Sequence, residues 1–199
     1  HCAVTKARSD ATTLVLGVPA TGKTTLSSDT SRSLLGDDEH GWSMDAVFNL
    51  EDGCDTRCLH VCESDDPVLW QACKDSRAIL MNVMVDNGIA DYADASLSRN
   101  ARACYPRSAL KHASKQSSAG VPEAIVFLSC DLYGILPPVS ILNAEQAMFW
   151  YLNGYSALFG SSQVGSVKKV QPTFSSCYGA AFLPRNPQVY ADLFRALLE

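Results

Sequence analysis

Short apolar runs separated by polar and turn residues recur along the chain. They are TTLVL at 12–16, SLL at 33–35, AVFNL at 46–50, RCLHV at 57–61, AIL at 78–80, NVMV at 82–85 and AIVFLS at 124–129. Runs of this length predict short β-strands. Apolar residues spaced three and four apart predict helices at 144–152 and 187–199. Many strands and few helices favour an α/β fold with a mixed, α+β-like sheet.

Composition narrows the functional classes. With 199 residues, 47% of them hydrophobic, the chain can bury a sizeable core. The net charge of −5 argues against a nucleic-acid partner, because backbone affinity for phosphate requires clustered lysine and arginine. No apolar stretch reaches the roughly 20 residues of a membrane helix, which argues against a membrane partner. We therefore expect residues 1–199 to form a single domain.

Eight cysteines are spread along the chain, and none form a C-x-x-C pair. Cys54, Cys58 and Cys62 recur at every fourth position, which fits one face of a helix or a coincidence. Because no histidine accompanies them at ligand spacing, zinc is disfavoured. We expect free thiols in the reducing cytoplasm, most of them buried as small hydrophobic side chains.

A glycine-rich segment follows the predicted strand at 12–16. GVPATGKT at 17–24 matches G-x-x-x-x-G-K-[ST]. Gly22 would let the backbone bend so that amide groups face an anion, Lys23 would neutralise β- and γ-phosphates, and Thr24 would hold Mg²⁺. The segment predicts a phosphate-binding P-loop; the alternative is an ordinary surface loop.

Asp37 and Asp38 follow SLLG at 33–36, a short distance after Thr24. An ordinary parallel crossover needs a dozen or more residues before the next strand begins. The spacing therefore predicts a tighter connection than in a standard doubly wound sheet, and it disfavours Ras-like, ATPase and nucleoside-kinase folds. An acidic run is often just a solvated surface, but a position beside a phosphate loop favours an active site.

Taken together, several segments resemble one known family. They are GVPATGKTTLSSD, LLGDDEHGW, VFNLEDGC, SRNARACYP, IVFLSCDLYGILPPVS, LNGYSALFG and PTFSSCYGAAF. This set resembles the nucleotide-binding core of ATP-dependent phosphoenolpyruvate carboxykinase. The resemblance implies a P-loop domain of that family's type, which converts oxaloacetate and ATP to phosphoenolpyruvate, CO₂ and ADP in gluconeogenesis. It also implies two cations, Mg²⁺ with the nucleotide and Mn²⁺ between enolate and γ-phosphate.

The resemblance also implies site residues. His1 and Asp38 match the Mn²⁺ ligands, and Asp37 belongs to the same motif. Arg102 matches the arginine that bridges substrate and γ-phosphate, for which a surface salt bridge is the alternative. Asp66 stands where the family has a nucleotide-contacting glutamate. The implied triphosphate loop comprises Gly17, Val18, Pro19, Ala20, Thr21, Gly22, Lys23, Thr24 (also the Mg²⁺ ligand) and Thr25.

The sequence departs from the family pattern at several positions. Ala20 replaces a loop glycine, Pro19 lacks an amide hydrogen, Arg99 and Ala101 flank the asparagine before Arg102, and Asp52 replaces a turn glycine. These departures predict a weakened site. One alternative is therefore that the protein is a degenerate relative that binds nucleotide without turnover. A further alternative is a protein kinase of the HPr-kinase type. The family's other catalytic residues match nothing here, so the chain looks cut at both ends.

Overall fold

The computed structural model describes residues 1–19, 21–158 and 171–198. The described strands are β1 Ala3–Lys6, β2 Thr12–Leu16, β3 Ser33–Gly36, β4 His40–Trp42, β5 Val47–Asn49, β6 Gly53–Arg57, β7 Ile79–Met81, β8 Met84–Asp86, β9 Ile89–Asp91, β10 Arg102–Pro106, β11 Ser118–Ala119, β12 Pro122–Phe127, β13 Tyr155–Leu158 and β14 Gln171–Phe174. The described α-helices are α1 Lys23–Ser27, α2 Pro67–Cys73, α3 Ala144–Asn153 and α4 Pro187–Leu198.

The largest sheet is mixed, as the pattern of strands and helices predicts. Its order is β12-β2-β1-β3. Strand β12 runs parallel to β2, whereas β1 is antiparallel to both β2 and β3. The smaller sheets have the orders β6-β10-β7, β11-β5-β4, β13-β14 and β8-β9. The molecule is therefore an α/β protein with several small sheets around one mixed sheet.

The connection from β2 to β3 is short. The one α-helix among its described residues, α1, has five residues. Because β1 is antiparallel to both strands, β2 and β3 run in the same direction with β1 between them. The sheet is thus not a standard doubly wound one, as predicted, and the connection brings the end of β3 beside the loop that follows β2.

Both predicted helices are confirmed within two residues of their ends. Helix α3 begins with a capping box, in which Asn143 accepts from the Gln146 amide and Gln146 accepts from the Asn143 amide. It ends at Gly154, whose φ of 53° is left-handed. No helix in the described ranges is long and apolar enough to cross a membrane.

The strand predicted at 57–61 is wrong. The strand in this region is β6, which ends at Arg57, and the chain then turns through His60 at a φ of 66°. Alternate residues of β6, Cys54 and Thr56, are buried. Because one of them is polar, the period-two pattern was hidden in the sequence.

The helical interpretation of Cys54, Cys58 and Cys62 is also wrong. Cys54 lies in β6, and Cys58 and Cys62 lie in the loop before α2. Five of the eight cysteines are buried, which confirms that most of them pack as small apolar side chains. No group of three His, Cys, Asp or Glu side chains with the geometry of a metal site occurs among the described residues.

Two apolar clusters meet at β3. Leu34 belongs to a cluster formed mainly by β6, β10 and α2, which we call the α2 cluster. Leu35 belongs to a cluster formed mainly by β1 and β2, which we call the β1 cluster. Successive side chains of a strand point to opposite faces, so β3 is buried on both sides. This burial fixes the position at which β3 delivers the residues that follow it.

Gly36 has no space for a side chain. A Cβ there would collide with the Asn49 amide and the His40 imidazole. We expect Gly36→Ala to lower the free energy of unfolding by about 1–3 kcal/mol, because overpacking displaces close neighbours. Gly120→Ala is the matched control, since a Cβ at Gly120 meets nothing within 4 Å. Urea unfolding of both variants measures the difference, and equal stabilities would contradict the packing argument.

Candidate active site

The loop between β2 and α1 depends on two glycines. Gly22 has a φ of 100°, a left-handed conformation that costs other residues roughly 1–2 kcal/mol. A Cβ on Gly17 would collide with the Thr21 hydroxyl, which donates to the Val18 carbonyl at 2.7 Å. The loop is therefore a compact turn whose exit starts α1 at Lys23.

Lys23 points back into this loop. Its Nζ donates to the Gly17 carbonyl at 2.7 Å. Burial lowers the pKa of Lys23, while the nearby charges of Asp38 and Asp37 oppose that shift. An ammonium group has three donors. The Gly17 carbonyl takes one, and within the described residues no other hydrogen bond of Nζ is found, so the group can still donate to an anion.

Asp37 and Asp38 are adjacent but differ in environment. Asp37 is only 6% exposed, and burial raises its pKa to about 6, with the Asp38 charge adding to the shift. Lys23 and the hydroxyls of Thr24 and Ser27 act in the opposite direction. Asp38 is half exposed. Asp37 is thus held against α1, and Asp38 is accessible.

His1 lies beside Asp38. The distance between His1 Nδ1 and Asp38 Oδ2 is 3.2 Å. The imidazole packs on the Phe182 ring at 4.4 Å between centroids. The Cys2 amide also donates to the Asp38 carbonyl at 2.7 Å, so the start of β1 is tied to the turn after β3.

A hydrogen-bonded histidine supports this turn from β4. His40 Nδ1 lies 2.9 Å from the Cys2 carbonyl, and Asn49 Nδ2 lies 3.3 Å from His40 Nε2. Since a carbonyl only accepts, Nδ1 carries the proton and Nε2 accepts from Asn49. Burial lowers the pKa of His40 to about 4, which keeps the ring neutral.

Arg102 and Asp66 have structural partners. Arg102 Nε donates to both carboxylate oxygens of Asp55, at 2.9 and 3.1 Å. This is the salt bridge that was the alternative for Arg102. Asp66 is the N-cap of α2, where its Oδ1 accepts from the Leu69 amide at 3.0 Å. Their predicted nucleotide contacts stay predictions.

The structure therefore brings together part of the predicted set. His1, Lys23, Thr24, Asp37 and Asp38 form one cluster at the ends of β1, β2 and β3. Within the loop, Val18 is buried, Pro19 and Thr25 are exposed, and Ala20 lies outside the described residues.

Sequence reasoning missed three supporting residues, Ser27, His40 and Asn49. Ser27 Oγ donates to Asp37 Oδ1 at 3.5 Å, while His40 and Asn49 act through the network described above. His40 lies in the GDDEHGW segment, so its presence was visible, but its partners depend on the fold.

The His1–Asp38 pair offers two ligand types that could hold a divalent cation. An imidazole nitrogen and a carboxylate oxygen are ligands that suit Mn²⁺. The two atoms already face each other at 3.2 Å on an accessible side of the cluster. Because no third His, Cys, Asp or Glu joins them among the described residues, this part of the chain would supply two ligands.

A large groove lies elsewhere. It has a volume of about 890 Å³ and is lined mainly by β12, by residues 136–144 and by α3 and α4. Its lining includes none of the clustered residues. The charged cluster is therefore separate from this mostly apolar groove.

Comparisons with known proteins agree with one another. A family model described as phosphoenolpyruvate carboxykinase matches residues 1–199. A phosphoenolpyruvate carboxykinase (ATP) from Sulfurimonas denitrificans is 47% identical over 97% of this chain and 36% of its own length. One from Shouchella clausii is 42% identical over 100% of this chain and 38% of its own. The chain thus spans 36–38% of the length of these relatives.

Asp37 and His40 predict opposing effects of pH on stability. The His40 pKa is depressed, so its contribution is fully present above about 6.5 and is lost as pH falls towards 4. The Asp37 pKa is raised, so the folded state binds this proton more readily and gains stability as pH falls through 6.

We expect Asp37→Asn to raise the free energy of unfolding at pH 7 by roughly 1–3 kcal/mol, because the buried charge is removed. Between pH 6.5 and 4 the variant should lose stability more steeply than the parent, since only the His40 effect remains. Urea unfolding across this range measures both slopes. Asp45→Asn, at an exposed position, is the control and should follow the parent. Equal slopes for Asp37→Asn and the parent would contradict the assignment.

Proposed function

Because the chain belongs to the ATP-dependent phosphoenolpyruvate carboxykinase family, we propose that the intact protein converts oxaloacetate and ATP to phosphoenolpyruvate, CO₂ and ADP. The observation that carries this proposal is the cluster of Lys23, Asp37, Asp38 and His1 beside the glycine loop. Residues 1–199 would form a single ATP- and metal-binding catalytic core. Its partners would be these small molecules, and its eight unpaired cysteines favour the cytoplasm.

The glycine loop would hold the triphosphate. The segment from Gly17 to Thr25 would face it with backbone amides. Lys23 would donate to the β- and γ-phosphates with the hydrogens that the Gly17 carbonyl leaves available. Phosphoryl transfer depends mainly on positioning and charge stabilisation, and a partly buried ammonium group provides both.

Two divalent cations would complete this charge balance. His1 and Asp38 would hold Mn²⁺, and Thr24 would hold the Mg²⁺ that accompanies ATP. When bound, these ions would offset the negative charge of enolate and phosphate. Asp37 would act indirectly, because it accepts a hydrogen bond from Ser27 at the end of α1 and is influenced by the Thr24 hydroxyl in the first turn of that helix.

Arg102 would contribute a second cation. Asp55 engages its Nε, and Nη2 lies 3.4 Å from the Asp55 carbonyl. In the described part of the chain Nη1 has no hydrogen-bond partner, so we propose that this side of the fork binds substrate and γ-phosphate oxygens. Asp66 Oδ1 accepts the helix-capping hydrogen bond from Leu69, so Asp66 would contact the nucleotide mainly through its other carboxylate oxygen.

The two alternative functions have weaker support. No specific observation favours a protein kinase of the HPr-kinase type. A degenerate relative that binds nucleotide without turnover is consistent with the departures at Ala20 and Arg99, and the following assay separates it from an active enzyme.

We expect Lys23→Met to lower kcat for ATP-dependent release of CO₂ from oxaloacetate by about 10²–10³-fold, because a preorganised cation is lost at the developing charge. The assay uses the intact protein with Mg²⁺ and Mn²⁺. Lys111→Met, which changes an exposed lysine, should have a kcat close to that of the parent. An intact parent without turnover would exclude the carboxykinase activity, and calorimetric binding of Mg·ATP in that case would favour the degenerate relative.

We expect Asp38→Asn to weaken Mn²⁺ binding at least tenfold, because a neutral amide is a poorer ligand than a carboxylate. Electron paramagnetic resonance of free Mn²⁺ measures the affinity directly. Asp45→Asn should bind like the parent, since its carboxylate is exposed. Equal affinities in parent and Asp38→Asn would remove Asp38 from the proposed metal site.

A further inference from the structure

Arg107 is a buried cation that the proposed reaction does not use. It is 6% exposed and lies in the 3₁₀ turn directly after β10. Its Nη1 donates to the carbonyls of Leu35 at 3.0 Å, Ser114 at 2.8 Å and Gln116 at 3.1 Å. Its Nε donates to Asp52 Oδ1 at 3.0 Å. One guanidinium therefore joins three separate segments of the chain.

Arg107 binds the Leu35 carbonyl where the pairing of β1 with β3 is irregular. The pairing of β1 with β3 shifts register between Val4 and Thr5, so that Thr5 opposes Leu34 and Val4 opposes Gly36. Leu35 therefore has no opposite residue on β1. A buried carbonyl without a partner is costly, and at this irregular position of the ladder Arg107 donates to the Leu35 carbonyl.

Leu35 lies two residues before Asp37. Between them is Gly36, which is enclosed by the His40 imidazole and the Asn49 amide. Asp37 itself is buried and hydrogen-bonded to Ser27. Because this short segment is enclosed at every position, a displacement of the Leu35 carbonyl would shift the two carboxylates that follow.

Asp52 sets the orientation of the guanidinium. Its carboxylate binds Nε, and its backbone carbonyl accepts from the Arg107 amide at 3.0 Å. The Asp52 side chain is 81% exposed, so it supplies a counter-charge from the solvent side while the rest of the fork stays buried. A buried guanidinium requires such pairing and complete hydrogen bonding. The sequence showed Asp52 only as a departure from a glycine turn.

We propose that Arg107, oriented by Asp52, is a positioning residue that fixes the Asp37–Asp38 turn for binding of a divalent cation. The inference rests on the proposed function, because it takes Asp38 as a metal ligand. Arg107 touches neither carboxylate, so its effect passes through the Leu35 carbonyl and Gly36. Residues that hydrogen-bond directly to a metal ligand change metal affinity by about 10–100-fold when they are altered. Because Arg107 acts from further away, we expect an effect at the lower end of that range.

The test compares Mn²⁺ affinity, measured by electron paramagnetic resonance, with thermal stability in the intact protein. Arg107→Lys keeps the charge but removes the planar fork. We expect its Mn²⁺ dissociation constant to rise about tenfold at a temperature well below its Tm. For Asp52→Asn, at an exposed position, we expect the Mn²⁺ dissociation constant to rise about threefold with little change in Tm. Arg8→Lys is the control, because Arg8 is exposed, and this variant should bind Mn²⁺ like the parent.

The outcomes are distinct. A lower Tm in Arg107→Lys with unchanged Mn²⁺ affinity would mean that Arg107 is purely structural, and it would overturn this inference alone. If Arg107→Lys does not fold, the Mn²⁺ affinity of Asp52→Asn is the test. An Asp52→Asn affinity equal to that of the parent would then overturn the inference. A parent protein that binds no Mn²⁺ would overturn both the inference and the proposed metal site.

Discussion

The candidate site depends on the burial of β3 on both faces. Leu34 packs in the α2 cluster and Leu35 in the β1 cluster. A slip of one residue would exchange these two faces, so the register of β3 is strongly specified. The register of β3 therefore sets the position of Asp37 and Asp38 beside the glycine loop. The short α1 connection places Lys23 next to the same turn, and the antiparallel β1 between the two strands brings His1 to it.

The two adjacent carboxylates have different environments. Asp37 is buried against α1, where burial raises its pKa and hydrogen bonds from Thr24 and Ser27 partly offset the cost. Asp38 is accessible and faces the imidazole of His1. Lys23 compensates part of the negative charge. A buried carboxylate is unfavourable for stability, and such costs are common where a site must hold charged groups close together. Polar and charged neighbours, namely Lys23, Thr24 and Ser27, therefore offset part of the cost of burying Asp37.

Sequence patterns correctly predicted those strands and helices whose signals lie within their own segments. Strand β2 and helices α3 and α4 carry their periodicity, caps and turn residues within their own segments. Strand β6 was missed because Thr56 occupies an inward position that an apolar residue would have marked. The salt bridge of Arg102 had been weighed as an alternative, but its partner Asp55 lies 47 residues away and could not be chosen from spacing. Asp66 shows the same limit, since its helix-capping bond competes with the contact that resemblance implies.

The sequence by itself determined the glycine loop, the lysine and acidic pair that follow it, and the family to which the chain belongs. These features can be identified from short segments of the chain, and Gly22 occupies a backbone conformation that favours glycine over any other residue. Only the tertiary structure decided which side chains support the site. His40 reaches the Cys2 carbonyl across 38 positions, and Arg107 reaches the Leu35 carbonyl across 72. Both contacts depend on strand register and on one irregular pairing between β1 and β3, and neither is encoded in a local pattern of apolar and polar residues.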